Sequence, residues 1–226
     1  MLILGGVALL SSAAARAATV VDATASVYSS GSGSTPAVAF DVTSFAAIRV
    51  SASGLVTLSP PFDNDPDGVG SLLLPHNVSG VGGLSGISLA YAGGLVGAFV
   101  TASGPMPGDP VPATLAYGAS DLGFASFATQ LNQVFFVGDG LTGDGVGSPQ
   151  TFFVPVGATR LLLGFADAPG YQGAPDAYYD NAGSLTVSIA AVPEPASWTM
   201  MVGGIGFIGG ALRRRRASRP HEGATA

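Results

Sequence analysis

The chain has 226 residues with no Cys and no Lys, is rich in Gly (34) and Pro (16), and has only 10% charged residues. The missing Cys excludes a small disulfide-held scaffold, and twelve Asp against two Arg (Arg49 and Arg160) between residues 18 and 192 exclude the basic footprint of a nucleic-acid binder. That carboxylate excess suits calcium, which takes hard oxygen ligands, and equally suits solubility alone.

Residues 2–15, LILGGVALLSSAAA, are apolar and small, and Ala15-Arg16-Ala17 follows as an A-x-A cleavage pattern. Residues 1–17 are therefore expected to be a secretory signal, with the missing basic segment lying upstream of Met1. The body, residues 18–191, alternates apolar runs with Gly- and Pro-rich turns. Ile48, Val50 and Ala52 alternate with Arg49, Ser51 and Ser53, and Leu185, Val187 and Ile189 alternate with Thr186 and Ser188. Period 2 of this kind marks strands with one buried face. Further strands are expected at 20–28, 37–42, 95–101, 133–137, 151–156 and 160–166, with turn clusters at 60–70, 104–112, 138–149 and 169–175, and a short helix fits only 120–132. Many short strands between turns predict an all-β fold, an antiparallel β-sandwich or jelly roll.

Asp63-Asn64-Asp65-Pro66-Asp67-Gly68 opens like a calcium loop. An EF-hand loop begun at Asp63 would need an acid at its twelfth position, where Leu74 stands, so a polar Asx-rich turn is the competing reading. Gly138-Asp139-Gly140-Leu141-Thr142-Gly143 matches G-x-G-x-x-G, but the Gly-rich residues 144–149 cannot form the helix a dinucleotide site needs, so a hairpin loop is expected. With two His, one of them in the tail (His221), no Cys and no G-x-S-x-G, a Ser-His-Asp site would have to use His76 alone. A binding protein is expected, not an enzyme.

The far end reads Val192-Pro193-Glu194-Pro195-Ala196-Ser197-Trp198, then an uncharged span to Leu212, then Arg213, Arg214, Arg215 and Arg216. Residues 196–212 are 17 without a charge, near the lower limit for crossing a bilayer as a helix. The Arg run places its end in the cytoplasm, and Trp198 suits the opposite interface. In that order, Pro193-Glu194-Pro195, Trp198, the Gly-rich span and the four Arg resemble the PEP-CTERM sorting signal of Gram-negative bacteria. The resemblance implies a sorting signal at 192–216 with a polar cytoplasmic tail at 217–226. It also implies exosortase as partner, transient anchoring in the inner membrane, and final placement at the cell surface or in the extracellular matrix.

The body carries a second resemblance. GATRLLLGFAD (157–167) and DNAGSLTVSI (180–189), with the strand at 48–58 and the loop at 62–70, resemble the calcium-dependent galactophilic lectins of the PA-IL-like family. This implies a galactose-binding-like sandwich. It also implies one calcium held by Asp167, Asp180, Asn181 and the Leu58 carbonyl, and a sugar touching His76, Asp167 and Asn181. The loop between Asp167 and Asp180 is longer than that family's, and its sugar-contacting His and Gln have no firm counterparts beyond His76. The leading expectation is a calcium-dependent carbohydrate-binding module for extracellular polysaccharide. A structural biofilm-matrix protein without a ligand is the alternative, and a polysaccharide hydrolase using a pair of Asp is the third.

Overall fold

The computed structural model describes residues 17–193 except 72 and 107. Nearly all of the expected export signal and all of the sorting signal beyond Pro193, including the expected membrane helix, lie outside the described residues. Among the described residues no helix is long and apolar enough to cross a membrane, and the helical turns are three 3-10 segments of three residues each. The body is all-β.

The long strand Ala47–Ser59 pairs antiparallel with the last strand Ala182–Ala191 over ten residues, from Thr57 opposite Ala182 to Ile48 opposite Ala191. Val192 extends the ladder by donating its N–H to the Ala47 carbonyl at 2.9 Å, and Pro193, with no N–H to give, ends it. Thr19–Asp22 flanks the last strand, while Thr151–Phe153 and then Ser126–Ala128 extend the sheet beyond the long strand. The alternation read from the sequence holds. Ile48, Val50, Ala52, Leu185, Val187 and Ile189 are buried, and Arg49, Ser51, Ser53 and Thr186 are exposed.

A second, antiparallel sheet is ordered Val134–Phe136, Val96–Val100, Arg160–Gly164, Val38–Asp41. Its Leu95, Phe99, Phe135, Leu161 and Leu163 share a core with the first sheet. Its opposite face, with Val96, Ala98, Val100, Val134 and Phe136, packs in a second core on a small third sheet. That third sheet joins Leu115–Tyr117, Ile87–Leu89, His76–Val78 and Gln172–Gly173. Val96–Val100 and Val134–Phe136 are thus buried on both sides, and for this reason they read as unbroken apolar runs, whereas Val38–Asp41 at the edge alternates. The expected sandwich of two sheets gains a third layer.

Two further expectations are corrected. The pairing is not antiparallel throughout: Leu115–Tyr117 with Ile87–Leu89, Ser126–Ala128 with Thr151–Phe153, and Gln172–Gly173 with His76–Val78 are parallel. Residues 120–132 form no helix beyond the turn Ala119–Asp121, because Ser126–Ala128 is an edge strand. Phe124 and Phe127 lie 5.1 Å apart between ring centres, and they pack on Phe152 and Phe135 respectively. A spacing of three serves a bent chain as well as a helix. Residues 138–149 hold the expected hairpin, Leu141–Gly143 against Val146–Pro149.

Val187 is 0% exposed between the two sheets. Val187→Asp would bury a charge without a partner and should lower unfolding free energy by about 3 kcal/mol or more, whereas Thr186→Asp should stay within about 0.5 kcal/mol. Urea unfolding followed by circular dichroism measures both. Equal tolerance would mean that the pleat of the last strand is assigned to the wrong face.

Candidate functional site

Antiparallel pairing brings the end of the long strand beside the start of the last one. Leu58 and Ser59 therefore meet Asp180, and Asp167, just beyond the middle-sheet strand Arg160–Gly164, joins them in the wall of one cleft of about 280 Å³. Tyr171, Ala177 and Tyr179 line the same cleft. Of the residues the lectin resemblance singled out, Leu58, Asp167 and Asp180 are thus brought together, and Asn181 adjoins the Asp167 carboxylate.

Asp167 is 2% exposed. Its Oδ1 accepts the Ala168 N–H at 2.8 Å, and its Oδ2 has no partner. The Asn181 amide donates to the Ala23 carbonyl at 3.1 Å and leaves Oδ1 without a partner. His76 sits beside the carboxylate, Nε2 to Oδ1 3.7 Å, too long for a hydrogen bond, and both ring nitrogens are unpartnered. The imidazole is 1% exposed and Tyr171 meets it edge-on at 5.4 Å between ring centres. His76 therefore stands behind Asp167, not at the cleft surface where a sugar would touch it.

Tyr178 organises the floor. Its buried hydroxyl accepts from the Asp167 N–H and the Ser26 hydroxyl, both at 3.0 Å, and donates to the Phe165 carbonyl at 3.2 Å. The Asp176 N–H donates to the Asp167 carbonyl at 2.9 Å, closing the loop that carries Tyr171. Burial pushes the Asp167 carboxyl up to about 7, with the negative charges of Asp180 and Asp176 adding to it, while the Asn181 side chain and the Ala168 N–H pull the other way. Burial lowers His76 to about 4, so the imidazole is neutral near pH 7.

Unpartnered buried oxygens are costly. Two of them, on Asp167 and Asn181, beside the carboxylate of Asp180 and the backbone of Leu58, form the kind of oxygen donor set calcium takes. Among the described residues no group of three His, Cys, Asp or Glu side chains is arranged to hold a metal. An ion here would rest on Asp167 and Asp180 together with amide, carbonyl and water oxygens.

The loops at 63–70 and 138–149, far apart in sequence, adjoin. Asp65 Oδ1 accepts the N–H groups of Asp67 and Val69, both at 2.9 Å, and Asp67 Oδ1 accepts that of Asp139 at 2.8 Å. The Asp139 carboxylate accepts from Leu141 at 2.7 Å and Gly145 at 2.9 Å. These carboxylates hold backbone amides, which is what an Asx-rich turn requires. Burial raises Asp67 to about 7, with the Asp139 charge adding to it, and raises Asp65, whose side chain also hydrogen-bonds that of Asp144.

Residues 191–216 match the PEP-CTERM protein-sorting motif. The PEP-CTERM resemblance read from the sequence is thereby met, and the motif implies an exported protein with a membrane-anchored sorting tail that exosortase processes. No curated protein matches the chain. The resemblance of the body to the galactophilic lectins finds no support in these comparisons.

Two outcomes follow. In a host with exosortase, mass spectrometry of the mature protein should find no peptide beyond about Ala196, and recovery of protein still carrying Arg213 to Arg216 would make the tail a plain anchor. The second concerns pH. The folded chain keeps the Asp167 proton up to about pH 7, whereas the unfolded chain loses it near 3.8, so this group removes stability as pH rises through that window. His76 acts in the opposite sense: it is protonated in the unfolded chain below 6.5 but neutral in the fold down to about 4, so it adds stability as pH rises between those values. Asp167→Asn removes only the first effect. Its melting temperature relative to wild type, scanned from about pH 4 to 8 in a chelator, should climb with pH, and a constant offset would mean Asp167 is already ionised in the fold.

Proposed function

We propose that the body is a binding module, not an enzyme, which holds extracellular polysaccharide in the Asp167 cleft with calcium as the bridging ion. One observation carries this reading. Two buried oxygens, Asp167 Oδ2 and Asn181 Oδ1, lack partners beside a cleft whose wall also holds Asp180 and Leu58. Calcium, when bound, would supply a positive centre whose open positions take vicinal sugar hydroxyls. This chain's residues do the rest. Asp167 and Asp180 offset the ion's charge, Asn181 and the Leu58 carbonyl fill neighbouring positions, and Tyr178 fixes the backbone from which Asp167 projects. Export and sorting by exosortase put the module outside the inner membrane, where such polymers are found, at the cell surface or in the matrix.

Thermal unfolding with and without calcium tests the reading. A ligand that binds only the folded state stabilises it by RT ln(1 + [L]/Kd), about 2.7 kcal/mol at a hundredfold excess over Kd. Calcium should raise the melting temperature of the wild type and raise that of Asp167→Ala or Asp180→Ala far less. Each variant is compared with itself, because removing a buried acid alters the baseline. A calcium shift equal in all three proteins would place the ion elsewhere, and no shift with no binding on a glycan array would leave a structural matrix component.

A further inference from the structure

We infer that Tyr179 forms a second subsite, a stacking platform for the next ring of a neutral polysaccharide whose first ring lies in the Asp167 cleft. The inference rests on the polysaccharide reading above and deepens it. Tyr179 stands in the cleft wall and is 74% exposed. A lone exposed aromatic needs no explanation, but this one projects from a backbone fixed on several sides. Gly33, at φ +78°, lies so close that a Cβ there would sit 2.5 Å from Tyr179 Cα and 2.9 Å from its Cβ. On one side Tyr178 is 0% exposed and anchored by its three hydroxyl bonds. Two residues earlier, Asp176 is tied to Ser32 through its carboxylate and to Asp167 through its N–H.

Strain points to the same loop. Four non-glycine residues among those described have positive φ, and two of them, Tyr171 (63°) and Ala177 (73°), line this cleft. Such conformations persist where the surroundings over-determine them and gather at ligand sites. A tyrosine on a fixed backbone has few torsions left to freeze, so it gives contact area at small entropic cost. Its ring face suits the C–H face of a pyranose, while the acceptor oxygens of the cleft suit hydroxyls.

Size and charge narrow the ligand. At about 280 Å³ the cleft lies at the lower end of small-molecule sites, room for one ring, so a polymer must leave over the rim. The cleft gathers Asp167 and Asp180, with Asp176 close enough to act on Asp167. Neither Arg of the body is near it. Arg160 binds the carbonyls of Thr101 and Ala102, and Arg49 lies opposite Ala190, at the other end of the ladder from Thr57 and Ala182. With calcium in place Asp167 and Asp180 balance the ion's charge, so a uronic-acid polymer would meet the remaining Asp176 carboxylate with no cationic side chain to offset its own. A neutral chain meets no such barrier.

The test uses the full chain purified in detergent with excess calcium, titrated by calorimetry with galactose, glucose, β-1,4-galactotetraose and cellotetraose. For at least one pair, the tetramer should bind wild type and Tyr179→Phe about tenfold or more tighter than its monosaccharide. Tyr179→Ala should erase the tetramer's advantage over its monosaccharide and leave the melting temperature unchanged. A tetramer advantage that survives in Tyr179→Ala, or no advantage in wild type, overturns the platform while leaving the cleft reading in place. Sugar binding that persists in Asp167→Ala overturns the cleft reading itself, and binding of none of the four sugars overturns both.

Discussion

The pairing of Ala47–Ser59 with Ala182–Ala191 decides what this body can do. Ten consecutive pairs set the register, and a slip of one residue would turn Leu185, Val187 and Ile189 outward. Because the strands run in opposite directions, the same register delivers Leu58 to the place where Asp180 and Asn181 enter the last strand. The apolar alternation that builds the core is thus also what aligns the cleft, and the two cannot be altered separately.

Beneath the cleft, polar order is concentrated in one hydroxyl. Tyr178 ties Ser26, near the start of the body, to the Asp167 N–H and the Phe165 carbonyl, which lie two residues apart. With three partners it is satisfied, whereas Asp167 Oδ2, Asn181 Oδ1 and both nitrogens of His76 are not. Among the described residues these are four of the eight buried side-chain polar atoms without a partner, and the other four belong to Tyr117, Asn132, Gln150 and Thr159. The Asp65, Asp67 and Asp139 loops are the contrast, since there the carboxylates already hold backbone amides.

Much of the fold was legible because period 2 is a strong signal over long strands. Ile48 to Ala52 and Leu185 to Ile189 fall on the expected faces, and the apolar runs at 95–101 and 133–137 contain the strands they implied. The third layer was not legible, since His76–Val78, Ile87–Leu89 and Leu115–Tyr117 are three residues each, too short to show a period. The stretch 120–132 allows a short helix by its local sequence alone, which carries no record of Phe135 and Phe152, the partners that Phe127 and Phe124 meet. At the site, Asp167, Asp180, Asn181 and Leu58 came from resemblance and not from spacing, and the structure places them together. Tyr171 and Tyr179 belong to no motif or period, and the only trace of them in the sequence is the grouping of tyrosines at 171, 178 and 179 after Asp167. The approach of residues 63–70 to 138–149 depends on tertiary closure, which no local pattern encodes.

The ladder also has a far end. Val192 is still bonded to Ala47 where the sorting motif has already begun at residue 191. The cleft opens at the other end of the same strand, about 30 Å away at roughly 3.3 Å per residue. The chain therefore leaves the body at the pole opposite its cleft. The last described residues are thus held by the core ladder and not by the loops that line the cleft.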